Sequence, residues 1–333
     1  MKIFITGIAG FLGSNLAEHF LKKKFKVSGC DSLIGGSIEN VPKGVIFYNG
    51  KCEDLSFMTK ALKNIDVVVH AAALAHEGLS NFAPVSIVSN NIVGSTSTFT
   101  AAIKNNVRRV VYCSSMARYG NLKVPFLESD IPEPVDPYGI SKLASEKILI
   151  NLSKTFNFEY NIAIPHNIVG PKQKYDDPFR NVASIMTNLM LQNRRPYIYG
   201  DGEQKRSFSD VDDCIYCLDQ LVTRDDVKSE IFNIGPDDEF TTINELFSIL
   251  SNKIKFNQSP IYVKDRPNEV KYSLCSSNKA RAILGYKTSI TLEDSLDKVI
   301  NYVKENGVKK FNYDQSLEIN NEQAPETWKK KLI

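Results

Sequence analysis

Two titratable side chains stand one helical turn apart in Tyr138-Gly139-Ile140-Ser141-Lys142, so a phenol and an ammonium share one helix face. A free tyrosine loses its proton near pH 10, but a neighbouring ammonium favours the phenolate and gives a base able to act near neutrality. Far upstream, Gly7-Ile8-Ala9-Gly10-Phe11-Leu12-Gly13 follows a strand-like stretch and opens a helix-like one. There Gly7 permits a tight turn, Gly10 lets the backbone approach a pyrophosphate, and Gly13 allows close packing, while helix N-terminal amides face the anion. Asp31 ends the next strand about 20 residues on, where a carboxylate accepts both ribose hydroxyls and repels a 2′-phosphate. No Arg or Lys lies between Asp31 and Pro42, so the expected dinucleotide is NAD and not NADP.

These residues need a frame. Periodicity predicts strands at 2–6, 26–31, 45–48, 66–70 and 109–114, alternating with helices at 11–24, 55–62, 84–106 and 138–154. The valine run at 66–70 suits a strand buried on both faces of a parallel sheet. Repeated β-α-β units of this kind predict an α/β fold, a Rossmann-like doubly wound sheet. Beyond residue 165 the rhythm changes to loops rich in Asn, Pro, Gly and Asp, with a helix at 181–193. A helix at 212–222 and a strand at 231–234 return to the first sheet. The chain is therefore expected to divide into a Rossmann domain (1–166 with about 207–236) and a smaller α/β domain (about 167–206 with 237–308). A polar tail, 309–333, is expected to lie on the surface as an irregular segment without chemistry, with the only tryptophan, Trp328, near its end.

Composition narrows the function classes. In 333 residues, Lys and Arg number 41 against 38 Asp and Glu, and the resulting +3 gives too little field for a nucleic-acid binder that neutralises phosphates. The longest apolar run, 67–75, falls short of the ~18 residues a membrane span needs, and the start reads as a strand with no secretory leader. A cytoplasmic protein with reduced thiols is expected. Cys214 and Cys217 form a C-x-x-C without a second pair, which points to buried thiols and no metal site.

With the glycine turn, Ser114-Ser115 at a strand end, and the Tyr138/Lys142 pair, the chain resembles the extended short-chain dehydrogenase/reductase family over roughly 1–303. The stretches 115–120 (SMARYG), 166–171 (HNIVGP), 199–208 (YGDGEQKRSF) and 266–270 (RPNEV) resemble its nucleotide-sugar epimerase/dehydratase branch, UDP-hexose 4-epimerases in particular. The resemblance implies Ser115, Tyr138 and Lys142 as the catalytic set. It implies Gly7, Gly10, Phe11, Leu12, Gly13, Asp31, Asp54, Leu55, Ala71, Ala72 and Ala73, with Tyr138 and Lys142, around NAD. For a nucleotide-sugar substrate it implies Asn167, Asn181, Arg206 and Arg266, and two phosphates do call for the paired donors of arginine. Ser273 would set the size of the sugar pocket, small enough to leave room for a 2-acetamido group. A homodimer through the helices at 84–106 and 138–154 is implied as well. The smaller domain would then hold the nucleotide sugar. Where family members often carry an Asp beside the adenine, this chain has Lys51.

Within that branch the sequence favours one reaction. Sugar 4,6-dehydratases resemble this family but carry an Asp-Glu pair after the Ser/Thr, whereas Met116 and Ala117 stand here and neither can titrate. What remains is oxidation at C4 and return of hydride, a redox-neutral 4-epimerisation through a transient 4-keto sugar on a UDP-hexose such as UDP-N-acetylglucosamine or UDP-glucose. Arg118 could instead pair with the carboxylate of a uronic acid, or form a surface ion pair. His166 could be a pocket donor or a structural histidine. A non-catalytic NAD-binding sensor or scaffold is the alternative from another class, and such proteins tend to lose the Tyr or the Lys.

Overall fold

The computed structural model describes residues 1–238 and 240–333. In chain order the first elements are β1 (Lys2–Thr6), α1 (Phe11–Lys22), β2 (Lys26–Asp31), β3 (Ile46–Asn49), α2 (Leu55–Ala61), β4 (Val67–His70), α3 (Glu77–Ser80), α4 (Pro84–Val88), α5 (Gly94–Lys104), β5 (Arg109–Cys113), α6 (Pro137–Phe156) and β6 (Glu159–Pro165). Then follow β7 (Ile168–Val169), α7 (Val182–Leu191), β8 (Tyr197–Tyr199), β9 (Lys205–Arg206), β10 (Ser209–Asp210), α8 (Val211–Thr223) and β11 (Glu230–Ile234). The remainder is β12 (Thr241–Thr242), α9 (Ile243–Ile254), β13 (Ile261–Val263), β14 (Tyr272–Ser273), α10 (Asn278–Leu284), α11 (Leu292–Asn306) and α12 (Glu326–Lys329).

Seven strands form one sheet in the order β11-β6-β5-β4-β1-β2-β3, every neighbour parallel. This is the doubly wound sheet that the sequence predicts. Its inner strands carry apolar side chains to both faces, with all of β4 and β5 buried, because helices cover both sides. Leu16, Phe20, Leu218 and Leu221 of α1 and α8 fill one face around Ile3 and Ile5, while Phe99 and Leu149 of α5 and α6 cover Phe4, Val68 and Val110 on the other. Strand order reverses between β1 and β4, so the loops after these two strands part and leave a crevice. The elements after β6 add three small sheets: β7 with β10, β9 between β12 and β14, and β8 with β13. Met186, Leu246, Leu250 and Leu296 pack α7, α9 and α11 into a core of their own.

Two expectations need correction. The single helix predicted over 84–106 is α4 and α5 joined by a π-helical stretch, Ser89–Val93. At this widened turn the side-chain carbonyls of Asn90 and Asn91 both accept from the Leu74 amide, at 3.0 and 2.9 Å, which ties the helix to the segment after β4. The tail is not a loose surface segment. Ala324, Thr327, Trp328 and Ile333 are buried, and Trp328 packs edge-on to Phe179 and Phe82 with centroids 5.2 and 6.0 Å away. Glu318 accepts from the Val85 and Ser86 amides, both at 2.8 Å, capping α4. Apolar residues spaced irregularly among polar ones carry no periodic signal, so sequence pattern alone did not reveal this docking.

Candidate active site

A single cleft runs from the Gly7–Gly13 turn, past Tyr138, to Arg206 and Arg266. At one end, backbone does the shaping. The Gly7 amide donates to the Cys30 carbonyl at 2.8 Å and the Gly10 amide to the Gly7 carbonyl at 3.0 Å. A Cβ on Gly7, whose φ is +71°, would sit 2.9 Å from the Ala72 Cα, and one on Gly13 would sit 2.2 Å from the Gly7 oxygen. Gly10 begins α1 without a side-chain cap, so the unpaired amides of a twelve-residue helix stand where Phe11, Leu12 and Gly13 line the cleft. Such a bare helix start, in a cradle that any Cβ would fill, fits a dinucleotide pyrophosphate.

Asp31 closes β2. Its carboxylate accepts from the Ala9 amide at 3.0 Å and the Leu33 amide at 2.8 Å, which fixes the loop that folds back over the turn. Burial pushes its pKa up, while amide hydrogen bonds and the charge of Arg180 pull the other way. Ala71, Ala72 and Ala73 form the facing wall. Beyond β3 the cleft is lined by Gly50, Cys52 and Glu53. Asp54 and Leu55 lie outside it, a correction with a local reason: Asp54 is the N-cap of α2, accepting from the Phe57 amide at 2.9 Å. Lys51 is exposed and lies outside the lining too.

Tyr138 and Lys142 occupy the first turns of α6, which starts with Asp136 accepting from the Gly139 amide at 2.8 Å and Pro137 in the first turn. Lys142 Nζ donates to the Cys113 carbonyl at 2.7 Å and lies 6.0 Å from the Tyr138 ring centroid. Ser115 begins the turn after β5, its hydroxyl accepting from the Ala117 amide at 3.2 Å. Burial pushes the Tyr138 phenol up to about 12, with the Ser115 hydroxyl pulling down and Glu77 and Asp136 pushing up. Burial also takes Lys142 down to about 8. Ser115, Tyr138 and Lys142 thus line one stretch of the cleft.

At the far end side chains dominate. Arg266 donates to Glu269 through Nε at 3.2 Å and Nη2 at 2.8 Å, and its guanidinium lies 4.7 Å from the Tyr199 ring centroid. Arg206, on β9, donates to the carbonyls of Lys205, Val270 and Lys271, with Glu269 at 3.9 Å. Burial alone would push Glu269 up, but the two arginines hold its carboxyl below the usual range. Asn167 and Asn181 also line the cleft. Asn167 donates to the Ser207 carbonyl at 2.9 Å, and Asn181 caps α7 by accepting from the Ala183 amide at 2.9 Å. From the tail, Ile333 reaches the wall, and Thr327 shares a 2.5 Å hydrogen bond with the Tyr199 hydroxyl.

Three sequence readings fall elsewhere. Ser273 does not line the cleft: it is fully buried on β14, its hydroxyl 2.7 Å from the Met116 sulfur, and Met116 is the wall. Its neighbour on β14, Tyr272, is half exposed beside Phe240. Arg118 is neither a surface group nor a cleft group, since its guanidinium is buried 3.0 Å from Glu146. His166 is buried outside the cleft, and burial takes its pKa down to about 3. Conversely, Glu77, Arg180, Asp136 and Glu53 line the cleft, and motif spacing gave no notice of them. Among the described residues no cluster of His, Cys, Asp and Glu could hold a metal, and all six thiols are free and buried.

The family model "NAD dependent epimerase/dehydratase family" matches residues 3–235. The UDP-glucose 4-epimerase of Halalkalibacterium halodurans is 28% identical over 324 residues, covering 92% of this chain and 96% of its own. The Thermotoga maritima UDP-glucose 4-epimerase, solved with UDP-glucose, superposes with a TM-score of 0.86 at 31% identity, covering 92% of this chain and 99% of its own. The UDP-glucuronic acid 4-epimerase of Bacillus cereus, solved with UDP-glucuronic acid and NAD, gives 0.85 at 28% identity, covering 92% and 100%.

Proposed function

Because the chain belongs to the NAD-dependent epimerase/dehydratase family, we propose that it is a 4-epimerase of a UDP-hexose, with UDP-glucose or UDP-N-acetylglucosamine as substrate. One observation carries the reading: Ser115, Tyr138 and Lys142 converge between a dinucleotide cradle and an arginine pair, and the residues after Ser115 are Met116 and Ala117. In that arrangement Tyr138 takes the proton of the C4 hydroxyl, and Ser115 hydrogen-bonds the same oxygen. Lys142 holds the ribose; burial keeps the phenol up at about 12 in the protein without cofactor, so loss of its proton rests on positive charge that binding brings to the pocket. Bound NAD supplies the hydride acceptor and donor at C4. Arg206 and Arg266, with Asn167 and Asn181 beside them, keep the diphosphate clamped while the keto-sugar turns to present its other face. The absence of titratable groups at 116 and 117 speaks against the eliminating reaction of a dehydratase.

In the same reading, residues 1–166 with about 207–236 serve the cofactor, and about 167–206 with 237–308 serve the nucleotide sugar. A homodimer through α4, α5 and α6 is supported by Val85, Val88, Val93 and Ile140, apolar side chains exposed on those helices or the turn joining them. No helix among the described residues is long and apolar enough to cross a membrane, and free thiols suit an enzyme of the cytoplasm. Turnover of a nucleotide-sugar panel with separation of C4 epimers tests the reading. Interconversion of UDP-glucose or UDP-N-acetylglucosamine with its C4 epimer at constant total NAD is expected, and formation of a dehydrated product would overturn it.

A further inference from the structure

Glu77 lines the cleft, yet the chemistry above does not use it. It opens α3, a one-turn helix that lies against Arg266 on one side and Asp136 on the other. A Cβ added at Gly78 would sit 3.0 Å from Arg266 Nη1, and the Ser80 hydroxyl donates to Asp136 at 3.3 Å, two residues before Tyr138. Glu77 therefore lies between the arginine pair and the phenol. Both guanidinium groups are bonded elsewhere, Arg266 to Glu269 and Arg206 to the carbonyls of Lys205, Val270 and Lys271. That leaves the Glu77 carboxylate without a protein partner among the described residues. Burial pushes its pKa up, Arg206 and Arg266 pull it down, and Glu269 adds to the upward push. Its own charge falls on Tyr138 and Asp136. Arg180, the other cation felt at the phenol, faces Asp177 at 3.6 Å, an ion-pair distance without a hydrogen bond.

A hexose whose diphosphate sits on Arg206 and Arg266 and whose C4 hydroxyl meets Tyr138 must run alongside this carboxylate. We infer that Glu77 is a specificity-determining residue: it accepts hydrogen bonds from the hydroxyls of a neutral hexose and turns away a sugar that carries its own carboxylate. An ionised carboxyl only accepts, so sugar O–H groups match it. A uronate would bring a second anion beside Glu77, where like charges repel and where Arg206 and Arg266 are already shared among Glu269, backbone carbonyls and the diphosphate. This inference rests on the 4-epimerase reading and narrows its substrate to uncharged hexoses.

The test compares the NAD-loaded wild type, Glu77→Gln and Glu77→Asp on UDP-glucose, UDP-N-acetylglucosamine and UDP-glucuronate, with NAD content as the check on folding. Wild-type kcat/KM for the better neutral sugar should exceed that for UDP-glucuronate by about 100-fold. Glu77→Gln should raise the UDP-glucuronate value by about 10-fold, whereas Glu77→Asp should keep the exclusion. An unchanged ratio in Glu77→Gln, or a wild type that prefers UDP-glucuronate, overturns the inference. Calorimetric binding of the three compounds to NAD-loaded Tyr138→Phe separates the two claims. Neutral sugars bound in preference to UDP-glucuronate, but turned over by no variant, would sink the epimerase reading and leave Glu77 standing.

Discussion

The two ends of the cleft solve recognition differently. Around the glycine turn the walls are backbone amides, alanines and the Asp31 carboxylate, held within about a van der Waals contact of one another. Around Arg206 and Arg266 the walls are long charged side chains, already paired with Glu269 or with carbonyls, or stacked on Tyr199. Backbone offers a fixed shape that leaves no space for an added methyl group. Side chains offer charge that, in the proposed 4-epimerase, would be redistributed on binding a diphosphate, each arginine exchanging existing partners for new ones. Rigid holding suits a cofactor that is retained, and exchangeable pairing suits a substrate that comes and goes.

The largest effect is expected at the junction. Tyr138→Phe deletes the oxygen proposed to take the C4 hydroxyl proton and should lower kcat by about 10² to 10⁴-fold while bound NAD stays near wild type. Loss of NAD in parallel would mean that the phenol belongs to the cofactor end. Gly13→Ala attacks the backbone-built end, since its new Cβ would meet the Gly7 oxygen at 2.2 Å. NAD retained through gel filtration should fall by about 10-fold or more, and a fully loaded variant would show that the turn has slack. Arg266→Lys keeps the charge and loses the fork, so KM for the nucleotide sugar should rise about 10-fold with NAD affinity untouched.

A smaller effect concerns pH. In the protein without cofactor Lys142 gives up its proton near 8, whereas an unfolded chain keeps it until near 10.5. Between those values the unfolded state binds more protons, so this group makes stability rise with pH from about 8 to about 10.5, by up to about 1.4 kcal/mol per pH unit. Below 8 its burial is a constant destabilising term. Denaturant melts of apo wild type and Lys142→Met across that window should differ in slope, and parallel curves would place the ammonium in water.

The same contrast explains what the sequence disclosed. The doubly wound sheet, the glycine turn, Asp31 and the Tyr138/Lys142 pair were legible because each is a local pattern: valine runs, glycine spacing, one helical turn. The substrate end is assembled from segments around 77, 180, 206, 266 and 333, and no local spacing joins them. The family resemblance implies Asp54 beside the cofactor, but an aspartate three residues before a helical amide is also a good N-cap, and the cap is what forms. Ser273 sits in register with Arg206, a strand neighbour that shares none of its exposure to the cleft. Glu77 had no motif around it at all.

Chain order gives the docked tail a further consequence. The glycine turn, Asp31 and α6 are all within the first 156 residues, and the last strand of the large sheet ends at Ile234. Thr327, Trp328 and Ile333, which brace Tyr199 and close the wall beside Arg266, come only at the far end of the sequence. On a ribosome, where earlier parts of a chain fold first, the parallel sheet and its dinucleotide cradle can form while Phe82, Phe179 and Leu189 still lack their cover. Birth order thus separates the two halves of the cleft in time: the glycine-turn end can be complete while the wall at Tyr199 and Arg266 still waits for the segment around Thr327 and Trp328 to emerge.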